Sequence, residues 1–229
     1  MKVSLCLLTS NEIDGCKYDV PQIKKIKKYF YEIYAVDGGS NDGTVDFLKK
    51  NQISVYKQPV KGLNQACHFA ITKCKSDAII FFHPKGTIPV EDILKFKPLF
   101  EKGYDFVIGS RVIKGARNDE DTKFLKPRKW FVILLAVIAT VFFNRGNRVL
   151  WDVLHGFRGI TIKGYKKMDL KDEGKVTIDI EMVARSYKKH IKSIEFPTKE
   201  RARLAGVTHF KAWPTGKEII KYILREINR

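Results

Sequence analysis

Residues 35–44 read Ala-Val-Asp-Gly-Gly-Ser-Asn-Asp-Gly-Thr, and this stretch decides the predicted fold. An apolar and aromatic segment that is typical of a central strand ends at Val36, and a helical pattern begins at Val45. A strand that ends in a glycine-rich turn and continues into a helix is where open α/β sheets bind ligands. Asp37 lies at the end of this strand, where it can accept a hydrogen bond from a base or a ribose. A plain strand–helix turn without a ligand is the alternative, because one glycine-rich turn is weak evidence. Two residues are predicted to cap the helix: Asp42 and Thr44.

The first half of the chain repeats this alternation of strand and helix. The predicted strands are Val3–Leu8, Tyr31–Val36, Ile53–Tyr56, Ala78–Phe82 and Phe106–Ser110. The predicted helices are Ile23–Phe30, Val45–Lys50, Leu63–Lys73 and a segment opened by Pro89. Such alternation predicts an α/β fold, with a doubly wound, mostly parallel sheet and helices on both faces.

The second half is less regular and begins with a polar segment, 114–129, that we predict as a loop. Four further elements are predicted after residue 143: strands at Gly159–Ile162 and Ile191–Phe196, and helices at Thr177–Tyr187 and Glu218–Ile227. The chain has 229 residues, of which 44% are hydrophobic, and this is enough for one sizeable core. We therefore predict a single domain over residues 1–229.

The segment Trp130–Phe143 is apolar without interruption and is shorter than the roughly 20 residues that span a bilayer. A helix that is apolar on every side must be covered by protein or by lipid. Three interpretations stay open: a core helix, a helix in a membrane interface, and a dimer seam. Basic residues flank the segment on both sides and favour anionic head groups: Lys123, Lys126, Arg128, Lys129, Arg145 and Arg148.

The charge of the chain points to an anionic partner. There are 43 Lys and Arg residues against 25 Asp and Glu, a formal net charge of +18. Many of the lysines lie on predicted helix faces that are simply solvated, and no nucleic-acid-binding motif accompanies them, so we do not expect a nucleic-acid partner. The four cysteines form no C-x-x-C pair, which favours buried free thiols over disulfides or a metal site.

Five short motifs follow one another along the chain. They are Thr9-Ser10-Asn11-Glu12, the stretch Val36–Thr44, Ile108-Gly109-Ser110-Arg111, Asp152 with Gly156-Phe157-Arg158, and Arg203–His209. In this order they resemble the motifs of family 2 glycosyltransferases, over a match that runs from about residue 3 to about residue 210. The last three are most similar to dolichyl-phosphate mannose synthase and related polyprenyl-phosphate glycosyltransferases.

The resemblance implies a GT-A fold and inverting transfer of a hexose from a GDP- or UDP-sugar to a polyprenyl phosphate. It implies a nucleotide-binding half, 1–112, and an acceptor-binding half, 113–229, that contains the apolar helix. It further implies a peripheral protein on the cytoplasmic face of a membrane. The family uses Mg²⁺ or Mn²⁺ as its cofactor.

Site residues follow from the resemblance by position. The nucleotide would contact Thr9, Asn11, Glu12, Asp37, Gly39 and Ser40. The acceptor phosphate would contact Arg111, Arg128 and Arg158. Arg203 would clamp the donor diphosphate, and Asp179 and Glu181 would lie near the sugar.

One departure from the family pattern concerns the metal. The family's D-x-D motif follows the strand Ala78–Phe82, where its two carboxylates hold the divalent ion. In this chain the two positions are His83 and Lys85. A protonated lysine repels such an ion, so no metal site is predicted there. Lys85 is instead predicted to supply the positive charge itself.

Three functions stay open on the sequence. The first is a polyprenyl-phosphate glycosyltransferase that works without a metal. The second is a family 2 enzyme with a glycan acceptor, which would need a general base, and Asp179 or Glu181 are the candidates. The third is a catalytically inactive, membrane-associated homologue that keeps the fold.

Overall fold

The computed structural model describes residues 1–122, 125–171, 174–202 and 212–228. In this part of the chain a seven-stranded sheet is flanked by helices on both faces. The strands are β1 (Val3–Thr9), β2 (Glu32–Asp37), β3 (Ser54–Lys57), β4 (Ala78–Phe82), β5 (Phe106–Ser110), β6 (Arg158–Thr161) and β7 (Ser193–Pro197). The helices are α1 (Ile13–Lys25), α2 (Thr44–Lys50), α3 (Leu63–Lys73), α4 (Phe96–Glu101), α5 (Pro127–Phe143), α6 (Ile162–Met168), α7 (Ile178–Lys188) and α8 (Ala212–Ile227).

The strand order is β3-β2-β1-β4-β6-β5-β7, and the predicted mostly parallel sheet is confirmed. β6 alone is antiparallel to its neighbours, β4 and β5. β1 pairs in parallel with β2 and β4, and Thr9 lies opposite Asp37 at the ends of their strands. The carboxyl ends of β1, β2 and β4 therefore meet at one edge of the sheet, which is where ligands bind in such folds.

Two hydrophobic clusters cover the two faces of the sheet. On one face, buried side chains of α3, α5, α7 and α8 pack together, including Ala70, Leu135, Val183 and Ile223. The cluster on the other face joins α1, α2 and α4 to the sheet. Continuous burial of β1, β4 and β5 explains why these strands consist of apolar runs without alternation. All four cysteines lie in described residues and are free thiols, three of them buried, as predicted.

The first helix differs from the sequence prediction. A helix at Ile23–Phe30 is wrong, because α1 begins ten residues earlier and ends at Lys25, and a short 3₁₀ turn follows at Lys27–Tyr29. Pro21 lies inside α1 at an exposed position. Apolar residues at intervals of four and three point into the core and set the true period: Cys16, Val20 and Ile23.

Other predicted elements also need correction, among them the last helix, because α8 begins at Ala212 and not at Glu218. The segment opened by Pro89 begins as a 3₁₀ helix at Val90–Lys95 before α4. The sequence prediction missed α6, whose first turn is capped by the Thr161 hydroxyl, which accepts a hydrogen bond from the Gly164 N–H (2.9 Å). The predicted loop 114–129 contains a 3₁₀ turn at Asp119–Thr122 and ends where α5 begins, at Pro127.

Helix α5 is buried on one face and exposed on the other. Val132, Leu135, Ala136, Ala139 and Phe143 enter the core. Away from the core, α5 exposes five apolar side chains by 45–69%: Trp130, Leu134, Val137, Val141 and Phe142. Within the described residues, no helix combines the length and the apolarity needed to cross a membrane. The core interpretation therefore accounts for one side of α5 only.

Candidate active site

A cavity of about 720 Å³ lies at the carboxyl edge of β1, β2 and β4. The segment after β3, the segment before α7 and the first turns of α8 complete its walls. Its volume is in the range of sites that hold small molecules and cofactors. His83 lines it, and so do five of the predicted site residues: Thr9, Asn11, Glu12, Gly39 and Lys85.

Asp37 holds the turn after β2 together. Its Oδ1 accepts hydrogen bonds from the backbone N–H groups of Gly39 (2.9 Å) and Ser40 (2.8 Å). Its Oδ2 accepts from the hydroxyls of Thr9 (2.8 Å) and Ser40 (2.6 Å). A carboxylate offers about four lone-pair sites, and these bonds use all of them. Asp37 is 2% exposed and is absent from the cavity lining, so a nucleotide would have to displace Ser40 to reach it.

The same turn also fixes the start of α1, which the sequence did not reveal. The Asp42 carboxylate accepts a hydrogen bond from the Ile13 N–H (3.0 Å), and the Thr44 hydroxyl accepts one from the Glu12 N–H (3.0 Å). The N-cap of α2 itself is Gly43, which has no side chain to cap with. Asp42 and Thr44 were predicted to cap α2, but Gly43 occupies the N-cap position and Thr44 is the first helical residue. Asp42 accepts a hydrogen bond from the Thr44 N–H (3.0 Å), and the two side chains satisfy the first N–H groups of α1.

Lys85 projects from the loop after β4 and lines the cavity with its side chain 24% exposed. Its Nζ lies 4.0 Å from Oε1 of Glu12, which is itself almost fully buried. The loop turns tightly, since the Lys85 N–H donates to the His83 carbonyl (2.9 Å). A positive charge is thus present at the strand end where the family's divalent ion is expected.

The donors at this position do not fit Mg²⁺ or Mn²⁺, which prefer carboxylate oxygens. Burial and the charges of Lys85 and Arg158 hold the pKa of His83 well below its usual value. A Cβ on Gly156 would lie 2.6 Å from Nε2 of His83, so the ring is packed against that backbone. Among the described residues, no group of three or more His, Cys, Asp or Glu could hold a metal ion.

Arg111 is neutralised inside the protein. Its Nε and Nη2 form a two-point ion pair with Asp152, both bonds being 2.9 Å, and its Nη1 lies 3.4 Å from Glu200. Burial would raise the pKa of the fully buried Asp152, but the Arg111 guanidinium lowers it to about 2. Burial and the Arg111 charge also lower the pKa of the neighbouring His155 to about 3, so that ring is neutral.

Arg158 is buried as well, with 2% of its surface exposed. It donates to the carbonyls of His155 and Asp179, and its Nε lies 3.2 Å from Oδ1 of Asp179. Burial raises the pKa of Asp179 even though Arg158 opposes the shift. Glu181 is fully buried and accepts a hydrogen bond from the Lys171 N–H (2.6 Å). Neither acid lines the cavity.

The remaining predicted arginines differ in their surroundings. Arg128 lies in the first turn of α5 with 67% of its side chain exposed, and its Nε is 3.8 Å from Glu120. Arg203 lies outside the described residues. Of the three arginines predicted to meet an acceptor phosphate, Arg128 is therefore the one with a mostly exposed guanidinium.

The sequence prediction missed several cavity residues. Gln58, Lys61 and Lys175 line the cavity together with Thr215 and Glu218 of α8. The backbone joins two of these walls, because the Leu63 N–H donates to the Lys175 carbonyl (2.7 Å). Lys61-Gly62 follows the end of β3, so the rule that ligands bind at strand ends could have pointed to Lys61. Lys175 and α8 are brought in by long-range packing that no local pattern reveals.

Comparison with known proteins defines the family. Residues 9–174 match the family described as Glycosyl transferase family 2, and the chain belongs to it. It is 26% identical over 175 residues to glycosyltransferase AglJ of Haloferax volcanii, and the aligned region covers 74% of this chain and 54% of that protein. It is 30% identical over 110 residues to a dolichyl-phosphate hexose transferase of the same organism, which covers 48% of each chain. The chain thus spans about half the length of these two relatives.

Solved structures share the fold. Glucosyl-3-phosphoglycerate synthase of Mycobacterium tuberculosis, in complex with Mn²⁺, UDP and glucosyl-3-phosphoglycerate, superposes with a TM-score of 0.75 at 14% identity. The match covers 99% of this chain and 80% of that one. A second complex of the same enzyme, with Mn²⁺, UDP and phosphoglyceric acid, gives a TM-score of 0.77 at the same identity. The predicted GT-A fold is confirmed by this likeness.

Proposed function

We propose that this protein transfers a hexose, with inversion, from a nucleotide-sugar to a polyprenyl phosphate at a membrane surface and needs no divalent metal. The observation that carries the proposal is Lys85, whose ammonium lines the donor cavity where the family's second metal-binding carboxylate would stand. The membership of family 2 and the relative named as a dolichyl-phosphate hexose transferase support the reaction class.

The donor would bind in the cavity at the ends of β1, β2 and β4. Thr9, Asn11, Glu12 and Gly39 line it, and the shared fold places UDP-binding enzymes among its structural neighbours. Three lysines, Lys61, Lys85 and Lys175, also line the cavity and suit a diphosphate. In this proposal residues 1–112 supply most of the nucleotide site, and 113–229 supply the acceptor side.

The proposed reaction does not need a strong general base. The acceptor phosphate is already ionised at neutral pH, so one of its oxygens can attack the anomeric carbon directly. The bond from that carbon to the donor diphosphate breaks, and the nucleoside diphosphate leaves with the electron pair. Because negative charge develops on this leaving group, a fixed cation beside it stabilises the transition state. Lys85 has three donors for phosphate oxygens and supplies that cation.

The acceptor side would lie where α5 begins. Arg128 is largely exposed there and sits on the same helix as the exposed apolar face of Trp130, Leu134, Val137 and Val141. On α8, three more apolar side chains are exposed by 37–57%: Ile220, Leu224 and Ile227. A surface of this kind suits the interface of the cytoplasmic leaflet, whose anionic lipids attract a chain with a net charge of +18.

Turnover with a radiolabelled donor and a polyprenyl phosphate acceptor tests the proposal. We expect turnover by the wild-type protein in EDTA, and Lys85→Ala should lower the rate about ten- to a hundredfold, as expected for a lost hydrogen bond to a charged group. Lys17→Ala is the matched control, since this exposed lysine of α1 pairs only weakly with Asp14 at 3.9 Å.

The same assay separates the alternatives. Transfer to a glycan instead of the lipid would favour the second candidate, for which Asp179 and Glu181 are the predicted bases. No turnover with bound nucleotide would favour an inactive homologue, for which the loss of the D-x-D motif is the supporting observation.

Flotation with liposomes tests the membrane contact. We expect binding to anionic vesicles that weakens when Leu134, which is 55% exposed, is replaced by Glu. An exchange on the exposed face of α5 leaves the core face intact, so thermal stability should hardly change. Equal flotation of the wild-type protein and Leu134→Glu would contradict this part of the proposal.

A further inference from the structure

The loop that carries Lys85 rests directly on the backbone of α1. A Cβ on Gly15 would lie 2.0 Å from the Pro84 carbonyl oxygen and 2.7 Å from the Lys85 Cα. No side chain fits between the helix and the loop. Glycine inside a helix costs roughly 0.5–1 kcal/mol relative to alanine, and here it permits the close approach.

Asp19 lies one turn further along the same face of α1 and contacts the same loop. Its Oδ2 accepts a hydrogen bond from the Gly86 N–H (2.8 Å), and its side chain is fully buried. Within the described part of the chain its other oxygen, Oδ1, has no hydrogen-bond partner. Burying a carboxylate with a single hydrogen bond is costly, so stability alone does not explain an acid at this position.

We infer that Asp19 is a positioning residue for Lys85. Its hydrogen bond to the Gly86 N–H fixes the loop that packs on Gly15, and the fixed loop holds the Lys85 ammonium at the donor diphosphate. The inference rests on the role of Lys85 in the proposed function. Lys85 is the residue between the Pro84 carbonyl, which touches Gly15, and the Gly86 amide, which Asp19 binds. The residues on both sides of Lys85 are therefore fixed to α1, while the side chain of Lys85 extends into the cavity beside Glu12. Misplacing such a group by about 1 Å can cost about a hundredfold in rate.

The first experiment does not depend on any ligand. Hydrogen–deuterium exchange of the Gly86 amide, followed by NMR, should be slow in the wild-type protein and at least about tenfold faster in Asp19→Ala. Asp19→Asn keeps an acceptor oxygen and should retain most of the protection. Val20→Ala, a core truncation in the same helix, controls for general loss of stability and should leave the Gly86 amide protected relative to global unfolding. Full protection in Asp19→Ala would overturn the inference.

The second experiment places the effect on Lys85. Calorimetric titrations with UDP and with GDP should show Asp19→Ala weakening the better-bound nucleotide about five- to tenfold, part of the loss expected for Lys85→Ala. In the Lys85→Ala background the same change should have less than about a twofold effect, because positioning residues act through their partner and are not additive with it. Additive losses would overturn the inference. If neither nucleotide binds the wild-type protein, the proposed function fails, and the exchange experiment still decides whether Asp19 fixes the loop.

Discussion

The turn after β2 and the loop after β4 lie at the same edge of the sheet, but different contacts hold them in place. In the turn, the carboxylate of Asp37 is satisfied by Gly39, Ser40 and the facing Thr9. The loop contains the backbone hydrogen bond from Lys85 to His83 and packs on α1 through Gly15 and Asp19. The turn keeps the family's pattern except at Gly38, where the family has its second Asp, whereas the loop carries Lys85 at a position where the family has a metal-binding acid.

Under the proposed function, this difference would let the chemistry of the site change while the backbone of the turn stays the same. The turn organises backbone N–H groups and the start of α1, and both tasks are independent of the ion. The loop places the Lys85 ammonium at the cavity, and in the proposed function this charge takes the place of the family's metal ion. Changes to the two regions should therefore have separable effects on stability and on turnover.

The largest effect is expected from alanine at the glycine that touches the loop. In Gly15→Ala the new methyl group would clash with the Pro84 carbonyl, and overpacking of this kind should cost about 3 kcal/mol of unfolding free energy. In the turn, Gly38→Ala places its methyl group 3.5 Å from Ser10, an ordinary contact, and should change stability by less than about 0.5 kcal/mol. Urea unfolding measures both. Equal losses would mean that the loop does not depend on its contact with α1.

A smaller effect is expected when the anchor of the turn is removed. Asp37→Ala leaves the N–H groups of Gly39 and Ser40 without their acceptor and should lower the unfolding free energy by about 2 kcal/mol. If the nucleotide displaces Ser40 and takes over its hydrogen bond to Asp37, this change should also weaken nucleotide binding by roughly 1.5–3 kcal/mol, whereas Ser40→Ala should cost about 1 kcal/mol of stability. Calorimetry and urea unfolding give the two numbers. Unchanged affinity in Asp37→Ala would rule out a part for this residue in the donor site.

The pH dependence of stability distinguishes the two anchors further. Burial raises the pKa of Asp19 to about 7, well above the value of about 3.9 in an unfolded chain. Between these values the folded state binds more protons, so this group's contribution to stability falls as pH rises, by roughly 1 kcal/mol per pH unit from pH 5 to 7. The unfolding free energy of the wild type minus that of Asp19→Asn should show this slope. Buried Glu195, whose pKa burial also raises to about 7, is present in both proteins and cancels. If the unfolding free energies of the wild type and Asp19→Asn change in parallel with pH, the raised pKa of Asp19 is contradicted.

Local patterns in the sequence predicted much of the fold. Helix α3 and strands β4 and β5 have the predicted boundaries, because their apolar periods are interrupted by clear turn residues. Helix α1 was misplaced, because its polar start and Pro21 hide a period that only burial against the sheet reveals.

The contacts that make the site are less visible in the sequence than its motifs. Asp42 reaches Ile13 across 29 residues, and Asp19 reaches Gly86 across 67. Lys85 could be found from the sequence, because it stands at a strand end where the family has an acid. Gly15 and Asp19, which hold its loop, could not be found in this way. Arg111 and Arg158 were predicted from motifs as acceptor contacts, but only the structure shows their ion pairs with Asp152 and Asp179.

The metal dependence of turnover in the wild-type protein and in Lys85→Asp, measured side by side with a polyprenyl phosphate acceptor, tests the central claim most directly. If the ammonium takes the place of the ion, the wild type keeps its rate in EDTA. Lys85→Asp then loses about ten- to a hundredfold in EDTA and regains part of it when Mn²⁺ is added, because a carboxylate again stands at the end of β4. A wild-type rate that is abolished by EDTA and restored by Mn²⁺ would contradict the account, since a metal held by other residues would then supply the charge assigned to Lys85.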